Sequence, residues 1–220
     1  MKIPKLVYSN VVRIFINVSL AAFVSYDVVS KIKCLDYTSY ELIWKSQLVF
    51  ILMCDVLFMS RNLFKQPKMV DASVLAVGAG CLASILPYAM SMFTWWSPIT
   101  ETLKTPGMVL NALVCPFILW ALFCLRDCLS VIPEANKVVS KGIYKYSRHP
   151  LYVCYSFWGV SYIMMDTTFP VICIVVAFVS LLLVRSILEE RVLLKSLPAY
   201  ESYYRQTGLI TLPFLHFKLG

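Results

Sequence analysis

Charged side chains are scarce in this sequence. Only 15% of the 220 residues are Asp, Glu, Lys or Arg, whereas 60% are hydrophobic, and soluble domains usually carry about 25% charged residues. Acidic residues are the scarcer kind, with 12 Asp and Glu against 20 Lys and Arg. This shortage argues against an ordinary soluble domain and favours a multi-pass membrane protein.

Metal-binding side chains are also poorly represented. The chain has two histidines, and its eight cysteines form no pair at Cys-x-x-Cys spacing. A zinc site needs three or four such ligands brought together. We therefore expect no metal site.

Six apolar runs contain most of the hydrophobic residues. The first four approach the roughly 20 residues that a helix needs to cross a bilayer. The last two are shorter, and the turn signal Asp166-Thr167-Thr168 and the helix-starting Pro170 join them. We predict an all-α, multi-pass transmembrane helical bundle of five to six membrane segments, ending in a helical hairpin whose second helix continues past the membrane surface. The runs are 11–29, 42–60, 74–96, 108–125, 151–165 and 169–184.

Three features within these runs invite interpretation. The segment Gly78-Ala79-Gly80-Cys81-Leu82-Ala83 formally matches the dinucleotide pattern G-x-G-x-x-A, but small residues inside an uncharged run favour close helix packing. Asp55 lies in the middle of a run, where an ionisable group is either functional or held by an interhelical hydrogen bond. We interpret Asn111 as an interhelical hydrogen-bonding residue.

One stretch combines a turn signal, cations and a titratable ring at the mouth of an apolar run. Gly142 permits a backbone conformation that other residues avoid. Pro150 favours an extended His149 and then starts a helix, whose first N–H groups carry a partial positive charge. Arg148 adds a planar fork for a carboxylate or phosphate. These residues leave two interpretations open, an anion-binding corner or a basic loop that touches lipid headgroups.

A family resemblance favours the first interpretation. The run from Asn136 to Tyr152, which includes Gly-Ile-Tyr-Lys-Tyr-Ser-Arg-His-Pro-Leu-Tyr, resembles a motif of the isoprenylcysteine carboxyl methyltransferase and phospholipid methyltransferase family. Glu189-Glu190-Arg191, followed by Tyr200 and Tyr203, resembles that family's second motif at its usual distance. Thr207-Gly208 and Leu212-Pro213-Phe214 are similar to the chain ends of the carboxyl methyltransferase branch. Asn136 stands where many members have His, and Cys154 where they often have Gly.

The resemblance implies an integral-membrane enzyme that binds S-adenosylmethionine in a pocket formed by the C-terminal hairpin. A lipophilic acceptor would enter from the bilayer. Residues 1–125 would then form a scaffold that gives lipids access, and residues 126–220 the catalytic, cofactor-binding part. The implied catalytic residues are Glu189, Glu190, Arg191 and Arg205; the cofactor-binding residues are Tyr144, Arg148, His149, Pro150, Tyr152 and Glu190; the substrate-binding residues are Tyr200 and Tyr203.

The acceptor that we favour is an isoprenylcysteine-type carboxylate, which needs no general base and could be held by Arg191 or Arg205. A phosphatidylethanolamine acceptor would instead require Glu189 or Glu190 to take a proton. Membrane sterol reductases that use NADPH share a His-Pro-x-Tyr segment, but they usually carry Asn at the position of Leu151 and lack the double glutamate. If the protein were a non-enzymatic membrane protein, the polar residues around Arg148 and His149 would have no role.

The net charge of +8 does not point to nucleic acid, because the cations alternate with the apolar runs. All Lys and Arg except Lys31, Lys33, Lys45 and Lys104 fall on one side of a six-segment arrangement with both termini inside. By the positive-inside rule that side is cytoplasmic. The active face would lie there, on the inner membrane of a bacterium or the endoplasmic reticulum of a eukaryote.

We predict that the loop 126–150 and the tail beyond Arg185 both face the cytoplasm. Cysteines engineered into these segments should react with a membrane-impermeant maleimide only after the cells are permeabilised. Strong labelling of intact cells would overturn this topology.

Overall fold

The computed structural model describes residues 69–71, 73–96 and 101–208, with side chains except for those of 88–102. Asp55, the tail 209–220 and most of the first two apolar runs lie outside the described residues. Earlier in the chain the structure describes only scattered positions, all of them helical: 14, 15, 18, 19, 22, 23, 25, 26, 29, 50, 51, 53, 54 and 57.

From residue 69 onwards, the described chain is mainly helical. Each apolar run from residue 74 onwards forms a helix, and the last helix extends well beyond residue 184, as predicted. A short 3₁₀ helix, Gly142–Lys145, precedes the helix that begins at Pro150. The helices are α1 (Val74–Trp96), α2 (Glu101–Leu125), α3 (Pro150–Met165), α4 (Phe169–Ser196) and α5 (Pro198–Gln206).

The helix starts follow from local chemistry. Ser73 Oγ accepts the N–H of Ala76 at 3.2 Å and so caps α1. Pro150 and Pro170 lie in the first turns of α3 and α4, where proline lacks only an N–H that would be unpaired anyway. Between these helices, Asp166 Oδ1 accepts the N–H of Thr168 at 3.0 Å. The predicted turn at 166–168 is therefore confirmed.

Two helices in the described part of the chain are long and apolar enough to cross a membrane. They span Leu103–Leu125 and Phe169–Ser196, and the shorter Val74–Pro87 is also apolar. The bundle of five to six membrane segments stays a prediction.

A small sheet departs from the predicted all-α fold. β1 (Met69–Val70) pairs antiparallel with β2 (Glu134–Ala135), so the chain before α1 is tied to the loop after α2. Two-residue strands carry no hydrophobic periodicity, and the sequence therefore offered no sign of them.

The two helices of the C-terminal hairpin, α3 and α4, do not pack mainly against each other. α3 packs most extensively against α2, whereas α4 packs most extensively against α1. Trp158, Phe178 and Leu122 are almost fully buried in the core between the helices. Buried Asn111 donates from Nδ2 to Ser161 Oγ at 3.2 Å, an interhelical hydrogen bond as interpreted from the sequence. α3 and α4 also pack against each other, but less extensively.

The small residues of α1 permit a close approach of the loop after α2. A Cβ on Gly80 would overlap the carbonyl oxygen of Val131, whereas a Cβ on Gly78 would have no atom within 4 Å. The whole G-x-G-x-x-A match lies inside α1. It serves packing here, and no turn that could cradle a pyrophosphate exists within it.

Gly80→Ala and Gly78→Ala should therefore shift stability in opposite directions. Alanine favours a helix over glycine by about 0.5–1 kcal/mol, but overpacking at Val131 should cost about 1–3 kcal/mol. Thermal unfolding in detergent should show a lower midpoint for Gly80→Ala only. Equal midpoints for the two variants would contradict the close contact.

Candidate functional site

A cavity of about 170 Å³ opens between the helices next to the motif residues. Its polar end is bordered by Arg148, His149 and Glu189. Leu151, Trp158, Phe178 and Leu182 form apolar parts of its wall. Residues of α1, the loop after α2 and α5 also border it, so the hairpin alone does not form the cavity and both predicted parts of the chain contribute.

The polar end is built on a buried cluster of three side chains. Arg148 Nε donates to Glu190 Oε1 at 2.6 Å, and His149 Nε2 lies 3.2 Å from the same oxygen. The side chains of Arg148 and Glu190 are each 4% exposed. A buried carboxylate shared by two such partners holds both in one orientation. The carboxylate that contacts Arg148 and His149 is therefore the protein's own Glu190.

Arg148 also holds the C-terminal segment. Its Nη1 donates to the carbonyl oxygens of Tyr204 at 2.9 Å and Thr207 at 2.5 Å, and its guanidinium lies 4.1 Å from the ring centroid of Tyr204. Its backbone N–H donates to the carbonyl of Gly208 at 3.1 Å. One side chain thus joins the start of α3, the end of α4 and α5.

Glu189 belongs to a second, more accessible cluster. Its Oε1 accepts from Tyr152 Oη at 2.5 Å and from Arg185 Nε at 2.9 Å, while its Oε2 lies 3.9 Å from His149 Nδ1. Arg185 also donates a hydrogen bond to the carbonyl oxygen of Ser130, and its guanidinium lies over the Tyr152 ring. Arg185 and Glu189 are four residues apart on α4, so this ion pair joins neighbouring side chains of one helix face. His149, stacked on Tyr152, links the two clusters.

The two glutamates differ in their surroundings, as expected for neighbours that point about 100° apart on a helix. Glu189 borders the cavity and is 21% exposed, whereas Glu190 is buried beneath Arg148 and His149 and does not border the cavity. The resemblance implied a cofactor contact for Glu190. In the structure Glu189 lies next to the open space, and the cofactor contact of Glu190 stays a prediction.

Three tyrosines close the polar end on the side of α5. Tyr203 Oη donates to the carbonyls of Tyr144 at 2.6 Å and Ser147 at 3.2 Å. Burial raises the pKa of Tyr203 to about 12 and that of Tyr144 well above its usual range, so both remain neutral phenols at neutral pH. Tyr200 is buried beside them and also borders the cavity.

Buried polar atoms with no hydrogen-bond partner among the described residues occur along the cavity. They are Arg148 Nη2, Tyr144 Oη and Trp158 Nε1, on residues that are all less than 10% exposed. An unpaired buried donor costs about 1–3 kcal/mol. A ligand that accepts hydrogen bonds at the polar end would remove that cost.

The backbone around this site agrees in part with the sequence predictions. Gly142 has a φ of 63°, in the region that favours glycine. Pro150 begins α3, but the preceding His149 has φ −128° and ψ 54°, so it is less extended than expected. The helix capping contact to Tyr152 and Val153, through the His149 carbonyl, accounts for that geometry.

Two predicted catalytic arginines lie away from this cluster. Arg191 is exposed and borders a separate groove, and Arg205 is exposed in an ion pair with Glu201 at 2.6 Å. Among the polar residues that sequence analysis missed, Ser130 and Glu134 border the cavity from the loop after α2. No motif marked that loop, because its position depends on the sheet and on Arg185.

Glu190→Ala should destabilise the protein severely. The change leaves the buried Arg148 without its carboxylate, which should cost about 3–5 kcal/mol. Glu201→Ala is the matched control, since it breaks an exposed glutamate–arginine pair worth about 0–1 kcal/mol. Chemical denaturation in detergent should show a much larger loss of unfolding free energy for Glu190→Ala than for Glu201→Ala. Similar losses would show that the buried ion pair stabilises the protein no more than the exposed one.

Comparison with known families points to the same segment. Residues 125–195 match the model of the isoprenylcysteine carboxyl methyltransferase family. No curated protein matches the chain. The matched residues include Arg148, His149, Tyr152, Arg185 and both glutamates. The resemblance predicted from the motifs is confirmed: residues 125–195 carry the pattern of the isoprenylcysteine carboxyl methyltransferase family.

Proposed function

We propose that this protein is a membrane methyltransferase that uses S-adenosylmethionine to methylate the carboxylate of an isoprenylcysteine-type lipid. The observation that carries the proposal is the family match over residues 125–195, which coincides with the polar end of the cavity. The apolar side chains that line the same cavity suit the hydrocarbon part of such an acceptor.

The residues at the polar end fit the proposed cofactor. Arg148 Nη2 and Tyr144 Oη are buried donors without described partners, and a carboxylate would accept from both. Glu189 borders the same space and complements a positive charge. When bound, S-adenosylmethionine supplies an electrophilic methyl group on a sulfonium.

The chain's own part is to orient the reactants and exclude water. Methyl transfer is an in-line displacement, and positioning can lower its barrier substantially. Arg185 and Tyr152 hold Glu189 in one orientation, and Glu190 does the same for His149. Since these groups are fixed before a ligand arrives, little reorganisation remains.

The chemistry of the acceptor decides whether Glu189 must also act as a base. A carboxylate is already a nucleophile, so Glu189 would contribute only its charge. An ethanolamine headgroup must lose a proton, and the Glu189 carboxylate, which borders the cavity, could accept it. We favour the carboxylate acceptor because the matched family is named for it.

The decisive test is methyl transfer by the purified protein. Labelled S-adenosylmethionine should pass its methyl group to a farnesylated cysteine, and the product should be a base-labile ester. Phosphatidylethanolamine, a quinone-like isoprenoid and a sterol with NADPH should give no product. Transfer to phosphatidylethanolamine would change the acceptor, and neither cofactor binding nor transfer would refute the proposal.

A pair of glutamate variants sharpens the test. Glu189→Gln should lower the rate of methyl transfer by about tenfold or more, since it removes the charge at the cavity that positions or complements the reactants. Glu201→Gln, an exposed change on α5, should leave the rate unchanged. Equal rates in both variants would withdraw the role of Glu189.

A further inference from the structure

A second groove lies on the other side of α4, away from the cavity. Arg191 and Lys195 of α4 form one wall, and residues 69–71, 73 and 75, at or just before the start of α1, form much of the other. The groove measures about 320 Å³. None of the residues that border it borders the cavity. It is therefore separate from the site described above.

The groove carries two cations on one helix face. Arg191 and Lys195 are four residues apart, so their side chains lie one above the other. Both are exposed, and neither forms an ion pair with a described acidic residue. Asp71 also borders the groove, where its Oδ1 accepts the N–H of Ser73 at 3.0 Å. The groove thus keeps a net positive charge.

Exposed apolar side chains flank these cations. Val74 is 91% exposed and Leu75 62% exposed at the start of α1, and Leu194 is 40% exposed between the two cations. Earlier in α4, Leu183 and Val184 are exposed as well. Cations beside exposed apolar residues, on a helix long enough to cross a membrane, are typical of the level at which lipid headgroups lie.

We propose that this groove, formed by Arg191, Lys195 and residues 69–71, 73 and 75, binds the phosphate of an anionic phospholipid. The acyl chains of that lipid lie against the exposed apolar residues of α1 and α4. A zwitterionic lipid fits less well, because its own cationic group would face Arg191 and Lys195 across the groove. The proposal is independent of methyl transfer.

Native mass spectrometry of the detergent-solubilised chain tests this site. Dioleoylphosphatidylglycerol should bind about tenfold more tightly than dioleoylphosphatidylcholine, which has the same acyl chains. The double variant Arg191→Gln/Lys195→Gln should lose this preference. Circular dichroism should confirm that the variant keeps its helical content.

Lys141→Gln/Lys145→Gln is the matched control, because it removes the same charge from exposed lysines outside the groove. This variant should keep the lipid preference. No preference in the unmodified protein, an unchanged preference in the groove variant or an equal loss in the control would overturn the proposal. Displacement of the lipid by millimolar inorganic phosphate would do so too, since the acyl chains would then contribute nothing.

Discussion

The buried ion pair between Arg148 and Glu190 is the constraint on which the rest of the site depends. Both side chains are 4% exposed, and a charge removed from water is tolerated only when a partner and further hydrogen bonds compensate it. Arg148 meets this demand with backbone carbonyls of the C-terminal segment, and Glu190 meets it with His149. Three separate parts of the chain must therefore come together before either charge is satisfied.

This demand also explains why the two glutamates divide their roles. Arg148 and His149 share one carboxylate oxygen of the buried Glu190, whereas Glu189 borders the cavity. The end of α4 then presents different chemistry on different sides. Glu189 faces the cavity, and Arg191 and Lys195 face the outer groove. A single helix can serve both because successive residues point in different directions.

Much of the local structure could be predicted because its causes are local. Gly142 adopts a positive φ, Pro150 and Pro170 lie in first helical turns, and Arg185 pairs with Glu189 one turn away. Each of these follows from the backbone preference of one residue or from helical spacing. Predictions of this kind need no knowledge of what packs against the element.

The sequence by itself determined that the apolar runs from residue 74 onwards form helices, that prolines begin α3 and α4, and which residues make up the two motifs. Only the tertiary structure decided that Glu190 lies beneath Arg148, that Glu189 faces the cavity and that Arg191 and Arg205 lie elsewhere. It also placed Ser130 and Glu134 at the cavity wall. These contacts are between residues far apart in the chain. They depend on how the helices pack together and on which buried charges must be paired. Helical periodicity in the sequence encodes neither.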